Sequence, residues 1–293
     1  MKKIADRLYP FEQNWLDLDG LRMHYLDEGE GEPVVAVHGN PTWSFYYREL
    51  IKELRNDHRV VVPDHIGCGL SDKPGDDRYE YTLKRRVEDF SRLMEQLDLD
   101  QINLVVHDWG GMIGMAWAVE NPSRIKRLVI LNTAAFPLPE SKPFPWQLWL
   151  VRDTPLGPLM VRGLNAFSRG ATHLAVTRKK LPKTLRDAYC APYDSWADRI
   201  ATLRFVQDIP LRPGESGYDI VSDTAAGLEV FGDRPVLICW GDKDFVFDHH
   251  FLEVWRKLYP NAEVHRFADC GHYILEDASE EIIPLVRRFL TES

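Results

Sequence analysis

The sequence lacks any apolar run long enough to cross a bilayer, and it has no internal repeat, linker or low-complexity segment. The N-terminal region has charged residues where a secretory signal would be apolar. Without an oxidising compartment or a metal-type Cys/His spacing, we expect no disulfide framework and no metal site at the four cysteines, Cys68, Cys190, Cys239 and Cys270. We therefore predict a cytoplasmic protein without membrane insertion.

Basic residues are also in the minority. The 293 residues include 36 Lys and Arg against 45 Asp and Glu, which gives a formal net charge of −9. An acidic surface repels phosphate backbones and anionic lipid, so nucleic acid and membrane surfaces are poor candidate partners. With 44% hydrophobic and 28% charged residues the chain is an ordinary globular protein. We expect a small, neutral, apolar substrate and no cofactor, and we leave open a homo-oligomer or a complex with enzymes of the same pathway.

Short apolar runs bounded by turn-forming residues alternate with segments of helical periodicity. The runs predict buried strands at residues 33–37, 60–63, 102–106, 125–131, 235–240 and 263–267. Apolar residues at three- to four-residue spacing predict helices at residues 45–54, 81–97, 111–120, 250–258 and 282–290. This alternation is typical of an α/β protein whose mostly parallel central sheet is flanked by helices.

The strand pattern stops at the strand that ends near Leu131 and resumes about a hundred residues later. We therefore predict two parts, an α/β core of residues 1–136 and 230–293 and an inserted helical cap of residues 137–229. Ligands of such sheets bind beyond the carboxyl ends of the strands, and an insertion that leaves from there covers the crevice. Aromatic residues at the start of the cap are candidates for lining an apolar pocket, in particular Phe136 and Trp146.

An acidic residue stands where a buried strand turns abruptly into a helix, in the segment VHDWGG at residues 106–111. The glycines permit a tight turn, and the start of a helix favours a charged carboxylate. This is the context of a nucleophile elbow, with Asp108 in the place of a serine. An Asp that simply caps the helix is the alternative, and the segment alone does not decide between the two.

Two later strand ends supply the partners that a nucleophile requires. His272 follows the last predicted strand, and Asp244 follows the strand before it. The chain order of nucleophile, acid and histidine is that of α/β-hydrolases. After an early strand, the segment HGNP at residues 38–41 adds the side-chain amide of Asn40, although an Asn-Pro turn needs no function. That amide and the indole N–H of Trp109 are neutral donors suited to a leaving anion.

Over its whole length the sequence resembles the haloalkane dehalogenase branch of the α/β-hydrolase superfamily. The resemblance rests on HGNPTWSFYYREL (38–50), VVPDHIGCGLSDKP (61–74), VVHDWGG (105–111), LNTAAFPLP (131–139), GDKD (241–244) and GHYILED (271–277). Segments 131–139 and 191–211 are most similar to a subgroup that also contains the β-lactone decarboxylases of bacterial long-chain olefin biosynthesis.

The resemblance implies an α/β-hydrolase fold with Asp108 as nucleophile, His272 as base and Asp244 as the acid. It also implies Asn40 and Trp109 as donors to the leaving group. Dehalogenases of a second subgroup carry the acid after the earlier strand, where this sequence has Asn132, and this departure favours Asp244.

The residue types point to displacement at saturated carbon. An aspartate is already ionised at neutral pH, so it can attack without a base and form an alkyl ester on the enzyme. We predict a haloalkane dehalogenase, in which His272 then activates a water molecule, with cis-β-lactone decarboxylation as the alternative. A lactone would release a carboxylate that cap residues Arg199 or Arg204 could hold, although a solvated helix face or an ion pair explains these arginines equally well.

Two further interpretations stay open. An epoxide hydrolase needs an acid, typically a cap tyrosine, and the sequence offers Tyr189, Tyr193 and Tyr218. Some members of the fold act only as ligand receptors, and the presence of every catalytic element argues against this interpretation without excluding it.

Overall fold

The computed structural model describes residues 4–291, so the outermost residues of the predicted core, 1–3 and 292–293, lie outside the described residues. The strands are β1 (Asn14–Asp17), β2 (Arg22–Glu28), β3 (Glu32–Val37), β4 (His58–Pro63), β5 (Ile102–Asp108), β6 (Ile125–Thr133), β7 (Val236–Gly241) and β8 (Glu263–Phe267). They form one sheet in the order β1-β2-β4-β3-β5-β6-β7-β8. Strand β2 pairs antiparallel with both β1 and β4, and all the other neighbouring strands pair parallel.

Twelve α-helices accompany the sheet in the described part of the chain. They are α1 (Arg48–Leu54), α2 (Leu83–Leu97), α3 (Trp109–Glu120), α4 (Trp146–Asp153), α5 (Leu156–Pro158), α6 (Ala166–Leu174), α7 (Lys183–Cys190), α8 (Ile200–Gln207), α9 (Tyr218–Gly227), α10 (His249–Leu258), α11 (Ile274–Asp277) and α12 (Ser279–Thr291). The predicted α/β architecture, with a mostly parallel sheet flanked by helices, is confirmed.

Helices cover both faces of the sheet, which explains why its central strands are continuously apolar. In β3, Val35 and Val37 pack in one cluster with residues of α2 and α3, whereas Val34 and Ala36 pack in a second cluster with residues of α1 and α12. Each fully buried aliphatic side chain of this size contributes about 1.5–3 kcal/mol to folding. The strand ends that carry the candidate site therefore stand on a rigid support.

The sequence pattern did not predict β1 and β2. Both strands are partly exposed, and polar residues interrupt their apolar positions. In β2, His24 is fully buried and its ring nitrogen lies 2.8 Å from the carboxylate of Asp64. The two residues are far apart in the chain, and a buried polar residue such as His24 interrupts the apolar alternation that predicts a strand. The sequence pattern therefore did not indicate these two strands.

Several element boundaries differ from the predicted ones. Strand β6 continues through Thr133, and α3 begins at Trp109, directly after the candidate nucleophile. A 3₁₀ turn at Ser44–Tyr47 precedes α1 where one helix was predicted. Helix α12 begins at Ser279, before the predicted start at residue 282. The prediction missed its first turn because that turn is polar and carries no apolar periodicity. The helix accommodates Pro284 in its second turn.

All described elements between residues 146 and 231 are helical. This region has a small apolar cluster of its own, formed by Leu148, Val151, Val161, Leu203 and Val206. The limits of the cap at 137 and 229 stay a prediction. The four cysteines are free thiols. None of the helices within residues 4–291 is long and apolar enough to cross a membrane.

Candidate active site

Asp108 ends β5 and directly precedes α3, with φ +53° and ψ −127°. Non-glycine residues rarely adopt this backbone conformation, and where they do the surroundings must hold it in place. The Thr133 hydroxyl donates to the Asp108 carbonyl. A Cβ on Gly39 would overlap the Asp108 carboxylate, and one on Gly110 would overlap a β3 carbonyl, so both close approaches require glycine. The strained turn presents the carboxylate at the carboxyl end of the sheet.

The Asp108 side chain does not cap the helix that it precedes. It makes no capping hydrogen bond with α3. Asp248, by contrast, does cap a helix of this protein, and its carboxylate accepts from the backbone N–H of His250 at 3.0 Å. Asp108 Oδ1 instead accepts from the backbone N–H of Asn40 at 2.5 Å. Its Oδ2 lies 3.3 Å from His272 Nε2. The contacts of Asp108 therefore point into the site and not along the helix.

Asp244 and His272 meet at the same edge of the sheet. Asp244 Oδ2 lies 2.7 Å from His272 Nδ1, and Asp244 Oδ1 accepts from the backbone N–H groups of Val246 and Phe247 at 2.8 and 3.1 Å. These contacts orient the imidazole so that its other nitrogen faces Asp108. The structure thus brings together the three residues that the sequence nominated from three separate strand ends.

Asn132 holds Asp244 in place, a function that the sequence analysis did not predict. Its amide nitrogen donates to Asp244 Oδ2 at 3.1 Å and to the carbonyl of Gly241 at 3.1 Å, while its oxygen accepts from the Gly241 N–H at 2.8 Å. The sequence analysis noted Asn132 only because dehalogenases of a second subgroup carry the catalytic acid at this position. An amide at the end of β6 joins that strand to the turn that carries the acid.

The electrostatics of the site keep both reactive groups charged. Burial alone would lower the pKa of His272, but the carboxylates of Asp244 and Asp108 outweigh burial and raise this pKa to about 10. Burial opposes ionisation of Asp108, yet its pKa is lowered because His272 and the Asn40 N–H favour the carboxylate. Burial lowers the pKa of the adjacent His107 to about 3, so that ring is neutral. At neutral pH the site holds a carboxylate beside an imidazolium.

The raised pKa of His272 predicts a pH-dependent contribution to stability. The ordinary pKa of histidine is 6.5, so folding stabilises the protonated form, and this stabilisation is complete below pH 6.5 and is lost as the pH rises through about 10. We expect the His272→Gln variant to lack this loss. Urea unfolding of both proteins between about pH 6 and pH 10.5 measures the difference. Parallel pH profiles for the two proteins would contradict the prediction.

The two candidate donors flank the nucleophile. The Asn40 side-chain N–H donates to the carbonyl of Thr202 in α8 at 3.1 Å, which leaves its second N–H for a ligand, and Asn40 Oδ1 is buried without a hydrogen-bond partner among the described residues. Trp109 packs edge-to-face against Phe205, with ring centroids 5.2 Å apart. Asn40, Trp109 and Asp108 all line one cavity. A cap carbonyl therefore orients one of the two donors.

The cavity has a volume of about 340 Å³, and its walls come from both the sheet edge and the cap. Asp108 and His272 are the only ionisable residues among those that line it, and nearly all the others are apolar. Phe136 and Trp146 line the cavity, as the sequence analysis expected. A site of this kind fits an apolar ligand with few polar groups.

The structure places Arg199 and Arg204 outside the cavity, which corrects their nomination as contacts for a substrate carboxylate. Arg199 donates to backbone carbonyls, including those of Tyr193 and Arg162, and Arg204 pairs with the Asp76 carboxylate at 2.6 Å. The buried face of this region is formed by Ile200, Leu203 and their neighbours, so both guanidinium groups point elsewhere. The sequence alone does not indicate which face of a cap helix meets the cavity.

The three cap tyrosines are not among the residues that line the cavity either. The Tyr189 hydroxyl lies 2.5 Å from the Glu276 carboxylate, and the Tyr193 hydroxyl donates to the carbonyl of Thr42 at 3.3 Å. Tyr218 begins α9. An acid for epoxide opening is therefore not available from these residues.

The placement of Arg204 predicts that it can be replaced with little effect on activity. The Arg204→Gln variant is expected to keep its kcat/KM and to lose no more than about 1 kcal/mol of stability, because its ion pair with Asp76 is partly exposed. Arg199→Gln should lower the melting temperature more, because the Arg199 guanidinium satisfies several cap carbonyls. Steady-state kinetics and thermal unfolding of both variants test this. A large loss of kcat/KM in Arg204→Gln alone would contradict it.

Comparison with known proteins identifies the relatives of the chain. The family model described as alpha/beta hydrolase fold matches residues 32–279. Two proteins named cis-3-alkyl-4-alkyloxetan-2-one decarboxylase, from Shewanella oneidensis and Xanthomonas campestris, are 58% and 50% identical, over 99% and 96% of this chain and 92% and 97% of their own lengths. Haloalkane dehalogenase 2 of Mycobacterium tuberculosis is 30% identical, over 97% of this chain and 96% of its own length.

Solved structures show the same fold. Haloalkane dehalogenase DatA from Agrobacterium tumefaciens has a TM-score of 0.86 at 24% identity, over 98% of this chain and 99% of its own. Haloalkane dehalogenase DbeA from Bradyrhizobium elkani has a TM-score of 0.83 at 22% identity, over 97% and 100%. The resemblance inferred from the sequence motifs is thus confirmed, and the chain belongs to the α/β-hydrolase fold family.

Proposed function

We propose that this protein is a cis-β-lactone decarboxylase, which opens a 3-alkyl-4-alkyloxetan-2-one ring and releases carbon dioxide and an alkene. The observation that carries the proposal is the cavity, in which a carboxylate and an imidazolium are the only ionisable groups in an otherwise apolar lining. Relatives named as such decarboxylases, at 58% and 50% identity, support it over the dehalogenase favoured by the sequence analysis, whose named relatives are about 30% identical.

The first step is displacement by Asp108. One carboxylate oxygen attacks the ring carbon that bears the lactone oxygen, on the side opposite to that oxygen. The new bond is an alkyl ester of Asp108, and the bond that breaks is the one between this carbon and the lactone oxygen, which leaves with the electron pair as a carboxylate. Asn40 and Trp109 line the same cavity as Asp108, and their side-chain N–H groups are the neutral donors that we assign to the leaving oxygen.

The second step returns Asp108 to its free form. The bond between the freed carboxylate and the ring-derived chain breaks, its electrons form the carbon–carbon double bond, and the ester bond to Asp108 breaks with its pair staying on the carboxylate. Attack from behind has already placed the two leaving groups on opposite sides of the chain, which is the geometry for their concerted loss. A cis-lactone therefore gives a cis-alkene. No water is consumed.

The apolar lining favours this second step. A carboxylate that is well solvated or paired with a cation resists decarboxylation, because its charge must spread into the breaking bond. Neither Arg199 nor Arg204 lines the cavity, and no other Lys or Arg is among its lining residues. The His272 imidazolium faces Asp108, and the other polar groups that the freed carboxylate would meet are neutral donors. Arg199 and Arg204 were predicted to hold this carboxylate. Their absence from the cavity is compatible with the proposed reaction, because a paired carboxylate would lose carbon dioxide more slowly.

His272 has a different task in a decarboxylase than in a hydrolase. A hydrolase needs His272 to accept a proton from water, whereas the decarboxylase needs no base in either step. In the free enzyme the carboxylates of Asp244 and Asp108 raise the pKa of His272 to about 10, so the resting side chain is an imidazolium. Its Nε2 lies 3.3 Å from Asp108 Oδ2. From this position it stabilises the Asp108 carboxylate as the ester bond breaks, without transferring a proton in either step.

Haloalkane dehalogenation is the second candidate. The same first step would expel halide toward Asn40 and Trp109, and dehalogenase-named relatives support it at 30% identity. The two candidates differ in what removes the ester, because a dehalogenase needs water at the Asp108 carbonyl. The catalytic residues alone do not distinguish them.

A paired assay tests the proposal. Purified protein is given a long-chain cis-3,4-dialkyl β-lactone and, separately, a panel of bromoalkanes, and alkene, carbon dioxide, hydroxy acid and bromide are quantified. We expect one cis-alkene and one carbon dioxide per lactone, with a kcat/KM at least about 100-fold above that for any bromoalkane. The Asp108→Asn variant is the control for non-enzymatic decarboxylation. A β-hydroxy acid as the main product, or faster bromide release, would overturn the assignment.

A further inference from the structure

A buried arginine lies outside the cavity, next to one of the two candidate donors. Arg86 of α2 is only 1% exposed. Its Nη1 donates to the Asp208 carboxylate at 3.0 Å, but its Nε and Nη2 are buried without a hydrogen-bond partner among the described residues. Arg48, also buried, places both of its Nη atoms on the Glu276 carboxylate. Unpaired buried nitrogens on a charged group cost free energy, so the position of Arg86 requires another explanation.

The Arg86 guanidinium lies over aromatic rings. Its central carbon is 3.8 Å from the centre of the Phe205 ring and 5.5 Å from the centre of the Trp109 ring. Phe205 is fully buried and packs edge-to-face against Trp109. A ring face attracts a cation through its π electrons, most strongly for tryptophan and where water is excluded. The charge is therefore held against the ring that carries a candidate donor.

These groups connect the cap with the core. Phe205 lies in α8 and Asp208 directly follows this helix, whereas Arg86 and Trp109 belong to α2 and α3. Asp208 is the one acidic partner that a hydrogen bond gives to Arg86 in the described chain. A second carboxylate on the free nitrogens would cancel the charge that faces the rings. The incomplete pairing of Arg86 thus preserves a positive charge beside Trp109.

We propose that Arg86 is a positioning residue that makes the Trp109 indole N–H a stronger donor to the leaving anion. A cation over the ring draws π electrons toward itself, which makes the N–H more acidic and strengthens its hydrogen bond to developing negative charge. Burial increases this effect, because the protein interior screens charge less than water does. Arg86 does not line the cavity, so it acts through Trp109 and not on the substrate. This role rests on the proposed displacement by Asp108.

A double-mutant cycle tests whether Arg86 acts through Trp109. Arg86→Met removes the charge and keeps a flexible side chain that can fill the space. Ring opening of the cis-β-lactone is measured in single turnovers for the wild type, both single variants and Arg86→Met combined with Trp109→Phe. We expect Arg86→Met to slow ring opening by about tenfold in the wild-type background and by less than about twofold in the Trp109→Phe background, because no N–H is left to strengthen. Equal losses in both backgrounds would overturn the proposal.

Arg85 provides the matched control, because it is the preceding residue of α2 and has contacts of the same kind. It pairs with Asp89 at 2.9 Å, and its guanidinium lies 5.5 Å from the centre of the Tyr79 ring. Arg85→Met removes an ion pair and a ring contact that do not involve Trp109. It should leave ring opening within about twofold of the wild type. A loss as large as that of Arg86→Met would count against the proposal.

Asp208→Asn separates the charge of Arg86 from a merely structural tie between α2 and α8, and it remains decisive if Arg86→Met does not fold. The amide keeps an oxygen that can accept from Arg86 Nη1 and removes the charge that opposes the guanidinium. We expect a lower melting temperature, because a buried ion pair is broken, and ring opening at least as fast as in the wild type. Slower ring opening in the folded Asp208→Asn variant would contradict the proposed role of the charge.

The same measurements keep this proposal separable from the proposed function. If the wild type opens no lactone but releases bromide from a bromoalkane, the decarboxylase assignment fails and the cycle is measured with the bromoalkane, whose leaving anion would meet the same N–H. If the wild type forms cis-alkene and the losses in the cycle are additive, the decarboxylase stands and the role of Arg86 is wrong. A protein that turns over neither substrate would remove both proposals.

Discussion

Replacing Asp108 with asparagine is expected to abolish lactone turnover while leaving the protein folded. The neutral amide is a far weaker nucleophile than the carboxylate, and loss of a covalent nucleophile typically costs at least about 10⁴-fold in kcat. Asparagine has nearly the same shape and retains an oxygen that can accept from the Asn40 N–H. Alkene formation measured by gas chromatography, together with thermal unfolding, tests both parts of the prediction.

Asp248 provides the matched control for this variant. Its carboxylate caps α10 and pairs with Lys142, and it does not line the cavity. Asp248→Ala should cost about 1 kcal/mol or more of stability and leave turnover near the wild-type level. Intact mass measurement must exclude deamidation of the Asp108→Asn variant back to aspartate. If the verified asparagine variant retained near wild-type turnover, Asp108 would not be the nucleophile.

Removal of either candidate donor is expected to slow the reaction by about 100-fold, the usual loss when one hydrogen bond to developing charge is deleted. Trp109→Phe removes the indole N–H and keeps an aromatic ring to pack against Phe205. Asn40→Ala also breaks the hydrogen bond to the Thr202 carbonyl, so it should lower stability as well as kcat. Single-turnover kinetics with the lactone measure ring opening in each variant.

Gln147 is the control for these two substitutions. It is an exposed polar residue at the cavity and lies on α4, away from the strand end that carries Asp108. Gln147→Ala should leave ring opening within about threefold of wild type, because a solvated amide adds little. Equal rates in Trp109→Phe, Asn40→Ala and Gln147→Ala would remove the two donors from the mechanism.

The sequence predicts the positions of Asp108, Asp244 and His272 for a topological reason. Each lies at or after the carboxyl end of a strand in the parallel part of the sheet. These strand ends meet at one edge, so residues that are far apart in the chain come together there. This argument needs no knowledge of side-chain packing. It fails where packing decides, as it does for Arg199 and Arg204, whose direction depends on which face of the cap is buried.

Another feature is hidden from the sequence for a different reason. The link between Asn132 and Asp244 joins residues 112 positions apart, and nothing in the local pattern around either residue indicates it.

The catalytic motifs also did not decide between a decarboxylase and a dehalogenase. In both proposed reactions, Asp108, Asn40 and Trp109 would serve the same displacement at saturated carbon. The reactions diverge afterwards, and the divergence depends on the substrate and on access of water to the ester. The relatives named as decarboxylases, at 58% and 50% identity, support the decarboxylase over the dehalogenase.

The central claim is that elimination, and not water, breaks the ester of Asp108. Repeated turnover of a cis-β-lactone in water labelled with heavy oxygen, followed by mass spectrometry of the peptide that contains Asp108, tests this directly. We predict that cis-alkene and carbon dioxide form while the Asp108 carboxylate stays unlabelled, because no water adds to the ester carbonyl. Heavy oxygen in Asp108, accompanied by a β-hydroxy acid, would contradict the account and assign the protein a hydrolytic mechanism.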